Sequence, residues 1–337
     1  MRARRLVLAA AMAAAAVGFP AVPAQAATPC RDVAFPVTHL GLPQTMYGKL
    51  CQPADAKAVQ VLVPGASYNS AYWDIEVTPE IRSFRQAMNK AGYATLTLDR
   101  LGSGRSTRPL SATLTSFTQA NVVHQVIQAV RAGKGVPKFD KVVLGGHSVG
   151  SAISVIEAGT YKDVDAVLVT GMMHSVNALG SLPVLASLAP ANLDPKFLGK
   201  ILDPGYLTTR PGLRFSDFHK PGAQAPGVAE HDERTKDVFA PGEFVDTLLL
   251  GAILPYSRKI DVPVLLVMGN DPAFCGFLAA DCSSAASLLR HESPNYSPAA
   301  KLKTYLVGDY GHSINYAPGA PKYHEAVIRW ADAAVGR

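Results

Sequence analysis

The pentapeptide Gly146-His147-Ser148-Val149-Gly150 has the pattern Gly-x-Ser-x-Gly, in which a serine can serve as a nucleophile. It follows the apolar run Val142 to Leu144 and precedes a helical segment. A strand that turns sharply into a helix needs small neighbours and leaves the serine exposed above the sheet. A purely structural turn serine is the alternative, but this context predicts that Ser148 is a nucleophile.

A serine hydroxyl is a weak nucleophile until a base removes its proton, and nine histidines are candidates for that base. His312 follows the last predicted strand, Thr304 to Val307, and precedes the final helix. A loop at that place can return an imidazole to a serine that is distant in sequence. We therefore predict that His312 is the base. The other histidines are assigned to surface or packing positions, among them His147, His174 and His231.

A catalytic histidine needs a carboxylate that fixes its tautomer and stabilises the imidazolium. Asp271 follows the apolar run Val264 to Met268 and completes the chain order Ser, Asp, His. A turn or helix cap is the alternative role for Asp271. Asp281 and Asp309 remain alternative carboxylates.

Acyl transfer also needs donors for an oxyanion, and oriented backbone N–H groups serve this purpose. The N–H of Val149, next after the nucleophile, is the first expected donor. The second is expected from the loop after the apolar run Val59 to Val63, where we choose Ala66, with Ser67 as the alternative.

These residues must be positioned by alternating strands and helices. A leading hairpin is predicted from Val33 to Val37 and Thr45 to Leu50, and later runs are apolar on both faces. Helical stripes of period 3.6 run from Val122 to Val130 and from Val327 to Ala334. The pattern predicts an α/β fold, with a mostly parallel central β-sheet covered by helices on both faces. The predicted buried strands are Val59 to Val63, Tyr93 to Leu98, Val142 to Leu144, Ala166 to Val169, Val264 to Met268 and Thr304 to Val307.

From Met172 to Ser257 the alternation stops, and the segment is rich in Pro, Gly and apolar clusters without a clear strand. We interpret residues 172–257 as an inserted, mainly helical cap, and residues 27–171 with 258–337 as the core domain. The cap is expected to line an apolar pocket. His174, at the start of the cap, is a further candidate for a residue that lines this pocket. The other candidate pocket residues are Met172, Met173, Leu182, Leu185, Leu188 and Leu198.

The N-terminus has the form of a signal peptide: three arginines precede an apolar run from Leu6 to about Phe19, and an Ala-x-Ala site follows. Cleavage after Ala26 and secretion are predicted. A membrane anchor is the alternative, but the run is shorter than the roughly 20 residues that span a bilayer. Removing residues 1–26 removes these three arginines and no other charge, so the net charge falls by three, from +6 to +3. No basic stripe remains, which argues against nucleic-acid binding.

The four cysteines form two local pairs, Cys30 with Cys51 and Cys275 with Cys282. Three pairings exist for four cysteines, and this local one suits short disulfide-closed loops in an exported protein. No Cys-x-x-Cys occurs, which disfavours zinc. The cluster His231-Asp232-Glu233 is assigned to solvent, and we expect no metal and no cofactor.

From about Val33 onward the chain resembles the α/β-hydrolase fold superfamily. The matching segments, in this order, are Pro64-Gly65-Ala66, the run from Asp99 to Ser106, the Ser148 pentapeptide, Gly269-Asn270-Asp271 and Gly311-His312-Ser313. Two features depart from the family pattern. Pro64 stands where many relatives have His, and Asp271 follows Gly269 by two residues where three is common.

Within this superfamily, epoxide hydrolases and haloalkane dehalogenases resemble one another in carrying aspartate at the position of Ser148. Because this chain has serine there, the resemblance implies a serine hydrolase. We expect an acyl-enzyme on Ser148 and a small carboxylic ester or lactone with an apolar portion as substrate. Acyltransferase, thioesterase or peptidase activity is the alternative with the same residues, since the acyl-enzyme does not dictate its acceptor. A non-catalytic recognition protein is the third alternative. The oligomeric state is left open.

Overall fold

In the computed structural model, the described residues are 28–77, 82–201, 203–219, 225–252, 254–276 and 279–336. The predicted signal peptide and the cleavage after Ala26 lie outside these ranges. Within them, no helix combines the length and the apolar character needed to cross a membrane.

The centre of the fold is an eight-stranded sheet in the order β1-β2-β4-β3-β5-β6-β9-β10. The strands β1, β2 and β4 are joined by antiparallel pairing, and all pairs from β4 to β10 are parallel. The mostly parallel sheet predicted from the sequence is therefore confirmed. The strands of the described part, with the separate antiparallel pair β7–β8 included, are β1 (Cys30–His39), β2 (Leu42–Cys51), β3 (Ala58–Val63), β4 (Ala94–Leu98), β5 (Lys141–His147), β6 (Ala166–Thr170), β7 (Leu188–Pro190), β8 (Leu207–Thr209), β9 (Val264–Gly269) and β10 (Lys303–Val307).

Helices cover both faces of the sheet, which is why its central strands are apolar on both faces. In β3, Val59 and Val61 pack into the core on the side of α2 and α3, whereas Leu62 packs on the side of α1 and α9. The helices of the described part are α1 (Phe84–Lys90), α2 (Ser116–Ala132), α3 (Val149–Tyr161), α4 (Ala178–Ser187), α5 (Arg214–Phe218), α6 (Val228–Thr235), α7 (Pro241–Ala252), α8 (Ala285–Glu292) and α9 (Ala320–Val335).

The leading hairpin is closed by a disulfide between Cys30 and Cys51, which are also paired in the β1–β2 register. A second disulfide joins Cys275 to Cys282. The local pairing expected from the sequence is therefore confirmed. The two bridges constrain opposite ends of the sheet, since β1 is one edge strand and the second bridge follows β9.

Residues 172–257 contain the helices α4 to α7 and the short pair β7–β8. The sequence predicted no clear strand here, and that prediction was wrong, because strands of three residues are too short to show a period of two. Helix α7 packs against α2 and α3, so the end of this segment lies on the core helices. The division of the chain into core and cap stays a prediction.

Candidate active site

Ser148 lies at the turn between β5 and α3, with a φ of 54° and a ψ of −120°. A positive φ is costly for a residue with a side chain, so this turn holds Ser148 in a strained conformation. The flanking glycines are required by space. A Cβ on Gly146 would lie 2.2 Å from the carbonyl oxygen of Gly150, and one on Gly150 would lie 2.2 Å from that of Val63. The Gly-x-Ser-x-Gly pattern therefore has a direct steric cause.

His312 and Asp271 are in direct contact. His312 Nδ1 lies 2.5 Å from Asp271 Oδ2, and both side chains are buried. The other Asp271 oxygen accepts a hydrogen bond from the Ala273 N–H at 2.9 Å. Both residues follow the ends of neighbouring parallel strands, β9 and β10. Of the alternative carboxylates, Asp281 accepts a hydrogen bond from Ser283 and Asp309 is exposed.

Ser148, Asp271 and His312 line one cavity. Among the described residues, no hydrogen bond joins Ser148 Oγ to His312. Catalytic hydrogen bonds are often long in a protein without substrate and tighten in the complex, so the arrangement remains compatible with proton transfer.

The loop after β3 passes directly beside the serine. A Cβ on Gly65 would lie 3.0 Å from Ser148 Cβ, and Ala66 and Ser67 line the same cavity. In the described part of the chain, neither the Ala66 N–H nor the Val149 N–H has a hydrogen-bond acceptor. Two free donors next to a serine are what an oxyanion site requires.

Apolar side chains make up most of the cavity wall. Of the six residues predicted from the sequence, Leu188 lines it, while the other five do not. Met172 and Met173 are buried in the core, and Leu182, Leu185 and Leu198 are exposed. Leu182 and Leu185 are on the outer side of α4, whereas Ser181 and Val184 of the same helix face the cavity. Four aromatic rings that were not predicted from the sequence complete the wall, namely Phe218, Phe239, Phe244 and Phe274.

An ion pair between Arg214 and Asp232 lies behind this wall, and both side chains are 1% exposed. Arg214 Nη2 donates to Asp232 Oδ1 at 2.9 Å, and Nη1 donates to Ser67 Oγ at 2.7 Å. Burial alone would raise the pKa of Asp232, but Arg214 and His219 outweigh it and lower that pKa. The assignment of Asp232 to solvent was therefore wrong, since a charged residue can be buried when it is paired.

The same network reaches the loop that carries His312. His219 contacts Asp232 through Nε2 at 2.9 Å and the Tyr310 hydroxyl through Nδ1 at 2.6 Å. Tyr68 Oη and Ser313 Oγ are 2.6 Å apart. Residues of the 172–257 segment thus hold both the Ala66 loop and the His312 loop. No short motif signalled this network, because its members are far apart in sequence.

The remaining histidines near the site have structural contacts. His147 is buried, its ring stacks on Tyr72 at 4.2 Å, and burial lowers its pKa well below the usual value. This agrees with a packing role. His174 contacts Glu292 at 2.7 Å and Ser257 at 2.9 Å and does not line the cavity, so its suggested pocket role was wrong.

The family model described as "Alpha/beta hydrolase family" matches residues 60–321, and the chain belongs to this family. Among curated proteins, Lipase 1 of Psychrobacter immobilis is 40% identical over 81 residues. That match spans 24% of this chain and 24% of the lipase, so it covers about a quarter of each protein.

Solved structures share the fold at low identity. A thermostable carboxyl esterase from Bacillus coagulans matches with a TM-score of 0.61 and 15% identity over 90% of this chain and 98% of its own. A monoglyceride lipase from Saccharomyces cerevisiae matches with a TM-score of 0.61 and 15% identity, over 93% of this chain and 98% of the lipase. The α/β hydrolase GrgF from a Penicillium species matches with a TM-score of 0.60 and 15% identity, over 92% of this chain and 100% of GrgF.

Proposed function

We propose that this protein is a serine hydrolase that cleaves carboxylic esters or lactones through an acyl-enzyme on Ser148. The observation that carries the proposal is the shared cavity of Ser148 and the 2.5 Å pair His312–Asp271. Membership of the Alpha/beta hydrolase family supports it.

In this mechanism Ser148 Oγ attacks the substrate carbonyl while His312 Nε2 takes the hydroxyl proton. Asp271, on the opposite ring nitrogen, stabilises the imidazolium. The negative charge that develops on the carbonyl oxygen is received by the N–H groups of Ala66 and Val149. His312 then gives its proton to the leaving alcohol, and a water molecule, activated by the same histidine, releases the acid and restores Ser148.

The proposed substrate is a small ester with an apolar portion, because four phenylalanine rings and Leu188 form much of the cavity wall. The short match to Lipase 1 supports an ester substrate. Secretion with cleavage after Ala26, and a specificity-determining cap at residues 172–257, belong to the same proposal. The two disulfides support the secreted state, because such bonds persist in oxidising compartments.

Kinetics on a substrate panel test the proposal. Matched p-nitrophenyl esters of increasing acyl length, with lactones, thioesters and amides, are compared for wild type and Ser148→Ala. We expect the highest kcat/KM on esters or lactones, and activity within background for the variant. Higher kcat/KM on thioesters or amides, or a dominant transfer product when a competing alcohol is added, would favour the thioesterase, peptidase or transferase alternatives.

Action on lipid aggregates is a second candidate, favoured by α4. This helix lines the cavity with Val184 and exposes three leucines on its outer side, Leu179, Leu182 and Leu185. A surface helix that exposes several leucines on one side suits contact with a lipid phase. Leu182→Asp should lower hydrolysis of an emulsified triglyceride at least fivefold while leaving a soluble short ester unchanged. Equal effects on both substrates would reject this candidate.

A further inference from the structure

One group of side chains in the described ranges is arranged as metal ligands are. It consists of His124, Glu157 and Asp163. One ligand atom from each lies within 4.8 Å of the others. His124 is on α2, Glu157 is on α3, and Asp163 is in the connection from α3 to β6. Glu157 lies nine residues beyond Ser148, which is about 13 Å along the helix. The cluster is therefore outside the proposed active site.

Glu157 is the unusual member of this cluster. Its side chain is 0% exposed, and neither carboxylate oxygen has a hydrogen-bond partner among the described residues. Buried carboxylates are normally hydrogen-bonded, paired with a cation or bound to a metal. The contact of Glu157 with a basic side chain is to His124, whose Nδ1 lies 3.6 Å from Glu157 Oε1, beyond hydrogen-bonding distance.

The distances within the cluster suit a shared ion. His124 Nδ1 lies 2.8 Å from Asp163 Oδ2 and 3.6 Å from Glu157 Oε1. Ligands about 2.0–2.1 Å from a tetrahedral zinc ion are about 3.3 Å from each other. Although His124 Nδ1 is close to Asp163, it lacks the alignment of a hydrogen bond and has no other partner in the described part. These atoms thus approach each other without satisfying each other.

The surroundings hold the three side chains in place. The Tyr161 ring stacks on His124 with centroids 3.9 Å apart, and Gln128 donates to Asp163 Oδ2 at 2.5 Å. Arg131 donates to the main-chain oxygen of Asp163 at 2.6 Å. His124 and Asp163 keep side-chain exposures of 25% and 13%, which leaves a route for an ion from solvent.

We propose that His124, Glu157 and Asp163 bind one divalent transition-metal cation, for which zinc is the best match, at a stabilising site separate from ester cleavage. One imidazole and two carboxylates with an open fourth position for water suit zinc. Calcium is a poorer match because it takes six to eight oxygen ligands. The bound ion links α2, α3 and the entry to β6, and coordinates the Glu157 carboxylate, which no hydrogen bond satisfies in the described part. This proposal departs from the sequence-based expectation of no metal.

The test is titration of chelator-stripped full-length protein with zinc chloride, followed by calorimetry and by thermal unfolding. We expect one zinc ion per chain and a rise in Tm on binding, because a ligand that binds the native state stabilises it. Glu157→Gln keeps the shape of the side chain and removes its charge, and should weaken zinc binding at least tenfold. At the same zinc concentration, the rise in Tm should be smaller in this variant than in the wild type.

His291→Gln is the matched control, since His291 lies beside Glu292, at 3.7 Å, outside the cluster. This control must bind zinc as the wild type does. Ester hydrolysis by each variant reports correct folding, and His124→Gln replaces Glu157→Gln if the latter does not fold. Absence of zinc binding by the wild type, or undiminished binding by the cluster variant, would overturn the proposal.

Discussion

Arg214 and Asp232 face each other at 2.9 Å in the interior, and the same guanidinium donates to Ser67 Oγ at 2.7 Å. Ser67 follows Ala66, one of the proposed oxyanion donors, and has a φ of 56°. This conformation is uncommon for serine and needs support from its surroundings. The buried ion pair therefore supports a strained loop beside Ser148.

Replacing Arg214 by methionine should reduce both stability and catalysis. The change leaves Asp232 buried without its cationic partner, with His219 and the Tyr68 hydroxyl as remaining contacts. This should cost about 3–5 kcal/mol in the free energy of unfolding. We also expect kcat to fall more than KM rises, because the Ala66 loop loses its support. Urea unfolding and steady-state kinetics measure these effects. Arg329→Met is the control, as it breaks an exposed pair with Glu325 that is worth about 1 kcal/mol or less. Equal losses in both variants would contradict this role.

The glycine before His147 should not tolerate a methyl group. Gly146→Ala places a Cβ 2.2 Å from a main-chain oxygen of α3, so the turn that carries Ser148 must shift. We expect ester hydrolysis to fall at least a hundredfold, since misplacement of about 1 Å costs that much. In Gly308→Ala the nearest atom would be 3.6 Å away, and activity should be retained. The prediction fails if Gly146→Ala keeps normal kcat.

The two disulfides should differ in their effect on activity. Cys275 N–H donates to the Asp271 main-chain oxygen at 2.8 Å, so the bridge to Cys282 stiffens the loop that presents this carboxylate. The double variant Cys275→Ala/Cys282→Ala should lower kcat several-fold. Cys30→Ala/Cys51→Ala should lower Tm with little change in kcat, because its bridge lies at the opposite edge of the sheet. Kinetics below each variant's unfolding temperature separate the two outcomes, and identical kcat values would refute the difference.

Stability should decline on acidification because His324 is buried as a neutral ring. Burial lowers its pKa from 6.5 to about 3. Between these values the unfolded chain binds the extra proton, so stability is present above pH 6.5 and is lost as the pH falls towards 3. One such group contributes a slope of about 1.4 kcal/mol per pH unit.

The variant His324→Phe removes this titration and keeps an aromatic ring against Phe84 and Tyr323. Its unfolding free energy should therefore depend less steeply on pH between 6.5 and 4 than that of the wild type. Denaturant unfolding across this range measures the slope. His291→Gln, which changes a more exposed histidine, should keep the wild-type slope. An unchanged slope in His324→Phe would show that another group causes the acid sensitivity.

The sheet could be predicted from the sequence because its strands are buried on both faces and each contains a continuous apolar run. The Ser148 turn was recognisable because the main chain packs so closely around it that Gly146 and Gly150 have no room for a Cβ. Asp271 was found through chain order and its place after β9, although its contact with His312 needed the structure. By contrast, Arg214 and Asp232 are 18 residues apart in a segment without regular periodicity, so nothing local indicated their pairing.

The wall of the cavity was also beyond the reach of the sequence. Apolar residues at the start of residues 172–257 can face the cavity, the core or solvent, and composition does not distinguish these directions. Met172 packed in the core, Leu182 pointed to solvent, and Leu188 lined the cavity. The orientation of α4, fixed by tertiary packing, decides among them.

The role of Ser148 is tested most directly by labelling the folded protein with a fluorophosphonate and locating the adduct by peptide mass spectrometry. We expect one adduct, on Ser148, that is absent in a folded Ser148→Ala variant and forms far more slowly in His312→Ala. An adduct on another residue, or undiminished labelling of Ser148→Ala, would contradict it.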